Sequence, residues 1–258
     1  MVNNATTNIH SKERSILSVV FFGSELQIQE QQNFGGQVDN QKFVSLPSAA
    51  DSPEYFNAIS QFFKDNVSAS WHKVFALIPT ENHLLIPNIF YSEEQKEKLF
   101  QQSHLEYSGD IKTCKPVNTN STLLYSCSHN LEMFLHNNFP GLEIYSDVHW
   151  LINHCMLNSN ADHILVLLDE GRLKVIIKKE GALQLVNAFK ASNTEELIYY
   201  LGYVINAVWP NKAQHMPIAL HANEEKIDIS FVKKYFPKVE LHSTAKQSTM
   251  LQLLSECV

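Results

Sequence analysis

The sequence predicts an α/β protein assembled from two related halves. Three observations lead there. Short apolar runs of strand length alternate with segments of helical period. The order βββα occurs once from Ile16 and again from Asp162, and a turn glycine, Gly23 or Gly171, follows the first strand of each run.

The second half shows the pattern more clearly. Asp162–Leu168 is an apolar, β-branched-rich run closed by the turn Glu170-Gly171. In Arg172–Lys178, Leu173, Val175 and Ile177 alternate with Arg172, Lys174 and Ile176. Gly181 then turns the chain into Leu183–Phe189, so the three runs form a meander. Asn193-Thr194-Glu195-Glu196 is a helix start, Leu197, Ile198, Leu201, Val204, Ile205 and Val208 lie on one helical face, and Pro210 ends the helix. A strand at Ile218–Leu220, a helix around Ile227–Tyr235, a strand at Val239–Leu241 and a terminal helix from about Thr244 complete the order βββαβαβα.

The first half repeats its opening: strands at Ile16–Phe22, Leu26–Glu30 and Phe43–Leu46, with Gly35-Gly36 in a loop, then a helix from about Ser52 to Val67 and a strand at Val74–Pro79. Aligned on the turn glycines, Ile16, Leu17 and Gly23 match Ile164, Leu165 and Gly171, and Leu26 matches Leu173 after a one-residue gap. Tyr55, Phe56, Ile59 and Phe63 fall on Leu197, Ile198, Leu201 and Ile205, and Ala76-Leu77 on Ala219-Leu220. Between the halves lie a strand at Leu84–Pro87, a helix from Ser92 to about Ser103, a strand at Thr122–Cys127 and helices at His129–Asn138 and Asp147–Leu157. The polar run Asn158-Ser159-Asn160 is the expected hinge, dividing the chain into 1–160 and 161–258.

Composition narrows the function. The chain has 258 residues, 44% apolar and 18% charged, with a net charge of −7. Its densest basic elements are the pairs Lys178-Lys179 and Lys233-Lys234, which argues against nucleic acid as a partner, because affinity for a phosphate backbone needs clustered cations. The polar N-terminus, Met1 to Arg14, does not have the form of a signal peptide, and runs such as Ile164–Leu168 are far short of a bilayer span, so cytoplasmic residence without direct membrane insertion is expected. Cys114, Cys127, Cys155 and Cys257 form no CxxC pair or metal spacing.

Leu183-Gln-Leu-Val-Asn187-Ala-Phe189, followed by Glu195-Glu-Leu-Ile-Tyr199-Tyr200-Leu201, resembles the domain-of-unknown-function family numbered 3822. The resemblance extends through His163–Ile177 and Pro217–His242, and more faintly to Phe75–Pro79 and the Ser92–Ser103 helix. It implies duplicated ribonuclease-H-like domains of the actin-like ATPase fold, each of βββαβα type, similar to cytoplasmic scaffolds of pilus assembly and type II secretion; the shared βββα order and the aligned glycines Gly23 and Gly171 by themselves lead to a five-stranded mixed sheet in each half. It supplies no activity. His221 departs from it, standing where a glycine is expected after the strand leucine.

An actin-like nucleotide site needs an Asp-x-Gly hairpin in each half and a glycine pair after a later strand. The hairpin brings N–H groups to the phosphates while its Asp positions Mg²⁺, and the glycines let backbone approach the adenosine. The glycine alignment puts Phe21 in the carboxylate's place in the first half and His221-Ala222 in place of the glycine pair; only Asp169-Glu170-Gly171 keeps the form. Gly23, Ser24, Asp169 and Gly171 are therefore the vestigial cofactor-binding residues, and an ordinary hairpin turn explains Asp169–Gly171 equally. His149, His154-Cys155 and Asp162-His163 lack the three- or four-residue helical spacing of a metal pair, so no metal and no cofactor are expected. Cys155 among Leu151, Ile152 and Met156 reads as core. The leading expectation is a non-catalytic binding or scaffold protein with a protein partner, a second copy of the chain among the candidates. A nucleotide-binding protein or ATPase with atypical phosphate contacts comes second, and a redox or small-molecule enzyme using Cys155 or histidines third.

All four cysteines are expected as free thiols. Alkylation of the unfolded chain without reductant should add four adducts by intact mass, and a stable intramolecular disulfide would contradict cytoplasmic residence.

Overall fold

The structure is a computed structural model. It describes residues 15–22, 25–31, 38–47, 50–67, 71–80, 82–107, 109–157, 162–169, 171–210, 215–222 and 227–243. The expected turn at Gly23-Ser24, the loop glycines Gly35-Gly36, the hinge Asn158–Asn160, the terminal helix from Thr244 and Cys257 lie outside the described residues.

In the first half, β1 (Ile16–Phe22), β2 (Glu25–Gln31) and β3 (Val38–Ser45) form the antiparallel meander, followed by α1 (Pro53–Asn66) and β4 (Lys73–Ile78). The middle of the chain contributes β5 (His83–Pro87), a 3₁₀ turn at Glu93–Gln95 leading into α2 (Lys96–Ser103), β6 (Asp110–Cys114), β7 (Ser121–Cys127), α3 (His129–Asn138), β8 (Glu143–Ser146) and α4 (Asp147–Leu157). The second half runs β9 (His163–Asp169), β10 (Arg172–Lys179), β11 (Ala182–Lys190), α5 (Thr194–Val208), β12 (Ile218–Ala222), α6 (Ile229–Tyr235) and β13 (Val239–Ser243).

Both five-stranded sheets have one strand order, β3-β2-β1-β4-β8 and β11-β10-β9-β12-β13, with parallel pairing from the first strand of the meander outward. Two strands, β6 and β8, went unread in the sequence. Glu143–Ser146 is only four residues with one aliphatic side chain, and Asp110–Cys114 is an edge strand of the small β5-β7-β6 sheet, so neither carries a clear period-2 signal.

The helices after each meander start alike. The Ser52 hydroxyl accepts from Tyr55 N at 3.1 Å, and the Asn193 side chain from Glu196 N at 2.8 Å. Their apolar buried faces share one spacing: Tyr55, Ile59, Phe62 and Phe63 in α1, and Leu197, Leu201, Val204 and Ile205 in α5, where Thr194 is buried as well.

Strand pairing corrects the sequence alignment by one residue. Phe22 pairs with Glu25, and Asp169 with Arg172. Superposing the ladders puts Phe22, not Phe21, on Asp169 and brings Leu26 onto Leu173 with no gap. Likewise Leu17 pairs with Val74 and Ile164 with Ile218, which sets Leu77 on His221 and Ile78 on Ala222. The reason is burial: β1, β4, β9 and β12 are largely apolar in succession, and a one-residue slip between them leaves the hydrophobic pattern nearly unchanged.

Ile59 and Leu201 are both 0% exposed. Ile59→Ala and Leu201→Ala should each cost about 2–5 kcal/mol, read as a lower denaturation midpoint at unchanged m-value.

Candidate functional site

The two halves meet across α4. Leu173, Val175 and Ile177 of β10 point to the core shared with α5 and α6, so the intervening Lys174, Ile176 and Lys178 point the other way. That other face is covered by α4: Ile176, Leu165 and Leu167 share a core with Trp150, Leu151, Ile152, Cys155 and Met156, and through them with the first sheet.

Two lysines therefore lie buried under a helix, both 6% exposed, and each meets one of its ends. The Lys174 ammonium is paired with the Asp147 carboxylate at the start of α4, and Lys178 Nζ donates to Met156 O near its end, at 3.2 Å. The dimensions agree. Four residues of strand span about 13 Å, and the nine steps of helix from Asp147 to Met156 span about 13.5 Å. An anion at the helix N-terminus and a cation at its C-terminal carbonyls both suit the helix dipole.

The Asp147 end is a closed polar network. Asp147 Oδ1 accepts from Thr80 N at 3.0 Å, and the Thr80 hydroxyl donates to Ser146 Oγ at 2.7 Å. Ser146 Oγ in turn accepts from Val148 N and His149 N at 3.2 and 3.3 Å, capping the first turn of α4. His83, from β5, lies near this pair; burial first, and the Lys174 charge second, lower its pKa to about 4, so it is neutral at pH 7.

Of the residues singled out in the sequence, Gly23 and Ser24 lie outside the described residues. Asp169 ends β9, and Gly171 follows it at φ +79°, a conformation that favours glycine. A Cβ on Gly171 would stand 3.4 Å from Ser192 Oγ, next to the start of α5. There Ser192 N donates to Glu196 Oε2 at 2.6 Å, so a carboxylate of the chain itself already occupies that helix terminus. His221 and Ala222 are buried residues within β12, paired with Leu167 and Leu168 on one side and His242 and Ser243 on the other. The backbone at these two positions is thus committed to the sheet.

The remaining sequence candidates separate. Cys155 is fully buried, and burial pushes its thiol up to about 12, so it is no nucleophile at neutral pH. Cys114, Cys127 and Cys155 are free thiols. His149 Nε2 accepts from Asn153 Nδ2 at 3.2 Å, and its ring stacks on Tyr145. Among the described residues no group of three or more His, Cys, Asp or Glu side chains is placed to hold a metal ion. Sequence reading missed the Lys174–Asp147 pair altogether; its one available signal was a lysine at an alternating apolar position of a buried strand.

With this geometry in view, the family described as "Protein of unknown function (DUF3822)" matches residues 4–239. The chain belongs to that family. A Bacteroides thetaiotaomicron protein with an actin-like ATPase fold and unknown function superposes with a TM-score of 0.81 at 18% identity, covering 98% of this DUF3822 chain and 100% of that one. A PilM–PilN type IV pilus biogenesis complex gives a TM-score of 0.54 at 8% identity, with 94% of each chain covered. The cytoplasmic domain of EpsL, an inner-membrane component of the type II secretion system of Vibrio cholerae, gives 0.51 at 12%, covering 94% and 93%. At such identities the likeness establishes the actin-like ATPase fold for this DUF3822 protein. None of the curated proteins compared matches it. No described helix is long and apolar enough to cross a membrane.

Removing one partner of a buried ion pair leaves the other charge uncompensated. Lys174→Met should therefore cost about 3–5 kcal/mol. The double variant Lys174→Met/Asp147→Asn should lose clearly less than the sum of the single losses, a coupling of about 1–3 kcal/mol in a double-mutant cycle from urea denaturation.

Proposed function

We propose that this chain is a non-catalytic scaffold that binds a protein partner in the cytoplasm on a degenerate actin-like fold, divided into halves at 1–160 and 161–258. The observation that carries the reading is Phe22 at the ladder position of Asp169, since it removes from the first half the carboxylate that a Mg²⁺–phosphate ligand requires. Three further features support it. Asp147, the carboxylate at the seam, is neutralised by Lys174 and Thr80 N; Glu196 fills the start of α5; and His221-Ala222 stand within β12 where a nucleotide site would want bare glycine backbone. The PilM–PilN complex and the EpsL domain, both parts of larger assemblies, favour a protein partner over a small molecule, and a second copy of the chain is one form that partner can take.

The second reading is a nucleotide-binding protein with atypical contacts. One observation favours it: Asp169 and Gly171 keep the hairpin form, with the glycine at positive φ, so that they, with Gly23 and Ser24, would form a weak anion site.

A ligand at 100 times its Kd stabilises a fold by about 2.7 kcal/mol, which is a shift of a few degrees in melting temperature. Millimolar Mg-ATP or Mg-ADP should produce no shift and no phosphate release above background. A reproducible shift that vanishes in Asp169→Asn overturns the scaffold reading and establishes the second.

A further inference from the structure

The face of the second sheet away from the seam is covered by α5 and α6, which share one core over it. The strands β9, β11, β12 and β13 all run one way, so the helices crossing from β11 to β12 and from β12 to β13 both run back against them, parallel to each other. Their starts are tied, Asp228 N donating to the Thr194 hydroxyl at 3.2 Å. α5 turns Leu197, Leu201, Val204 and Ile205 inward, and the helical period sends Tyr199 and Tyr203 outward, 67% and 63% exposed. α6 adds Tyr235, 48% exposed.

Packing within the chain accounts for neither Gly202 nor the order of charges on this side. Gly202 lies between the two tyrosines in the middle of α5, where glycine costs stability relative to alanine, yet a Cβ there would meet nothing within 4 Å. Its bare backbone leaves a notch beside the rings into which another surface can settle. The charges change sign along the helices. Glu195 and Glu196 stand at the start of α5 and Asp228 at that of α6. Lys179 reaches the far end of α5 through Val208 O at 3.2 Å, and Lys233 and Lys234 stand in the last turn of α6. The turns beyond these bases carry one charge of each sign, Glu180 and Lys238. Exposed tyrosines on a rigid helix are the residues that anchor protein interfaces, because each buries a large ring and still satisfies its hydroxyl.

We infer that the outer face of α5 and α6 is the dimerisation surface of this chain, its occupant the same face of a second copy. A two-fold axis lying in the interface and crossing the helices at Tyr199–Tyr203 makes the two helix pairs antiparallel. The acidic starts of each copy then meet the basic ends of the other, and the rings of one copy settle beside Gly202 of its partner. Neighbouring helices are about 10 Å apart, which keeps each acidic start within electrostatic range of both basic ends. A surface ordered from acid to base is in this way complementary to itself. A net charge of −7 makes copies repel on approach, so association needs a face on which acids meet bases. The inference rests on the scaffold reading, in which a second copy is one form of the protein partner, and assigns the surface that receives it.

The test is sedimentation equilibrium of the full chain over a micromolar concentration series. Wild type should form a reversible dimer that weakens with added salt. Tyr199→Ser/Tyr203→Ser and, separately, Gly202→Gln should each raise the dimer dissociation constant about tenfold or more, with an unchanged circular-dichroism spectrum. Glu195→Lys and Lys233→Glu/Lys234→Glu should each stay monomeric where wild type is dimeric. Mixed in equal amounts they should dimerise, because opposite charges then face each other at both ends. A wild type that stays monomeric overturns the proposal, as does a dimer that none of these changes weakens, or a mixture that does not recover. Should the tyrosine variants fold poorly, the charge-exchange mixture decides, since Glu195, Lys233 and Lys234 are exposed and lie outside the core. The nucleotide shift tests the scaffold reading separately: a monomer that is silent to Mg-ATP loses only the dimer.

Discussion

The arrangement of this molecule depends on how α4 is held against β10. A helix that leaves one sheet and lies on the next can slide along its axis unless something fixes its register, and apolar packing is a weak ruler because it is non-directional. Lys174 on Asp147 and Lys178 on Met156 O fix it at two points whose separation is matched on strand and helix. Buried ions of this kind add little net stability compared with a hydrophobic replacement. Their contribution here is positional: the two lysines hold α4 near both of its ends. The Thr80–Ser146 network then ties that register to the first sheet, so that both sheets share one reference.

The duplication is not chemically symmetric. The ladder positions of Lys174, Ile176 and Lys178 are held in the first sheet by Gln27, Gln29 and Gln31, all buried. Gln27 Nε2 donates to Glu25 at 3.3 Å while its buried Oε1 has no hydrogen-bond partner among the described residues; a neutral amide bears that at lower cost than a buried ammonium, which must find an anion or a carbonyl. The same frame is therefore used as a clamp in the second half and as a neutral surface in the first.

Several polar groups at the seam and around the second hairpin are engaged within the chain itself. A carboxylate at the seam is spent on a lysine, one at the α5 terminus on backbone N–H groups, and the β12 positions on sheet pairing. The two five-stranded sheets are thereby held with α4 packed against strands of both.

Much of the frame was legible in the sequence. The apolar runs, the helix caps at Ser52 and Asn193 and the recurring βββα order determine two meander-led sheets, because they express local backbone preferences and burial period. Short strands such as Glu143–Ser146 escaped, since four residues next to a helix start do not establish a period. The register between the halves escaped for the opposite reason: strands apolar in succession read nearly the same after a one-residue slip, and only the hydrogen-bonded ladder shows that Phe22, not Phe21, stands opposite Asp169. Nor could sequence alone assign a role to Lys174, which in a linear reading is a polar residue on an alternating strand. Its partner is 27 residues away on another element, and the pairing of two charges so far apart along the chain is decided only when tertiary packing excludes water from both.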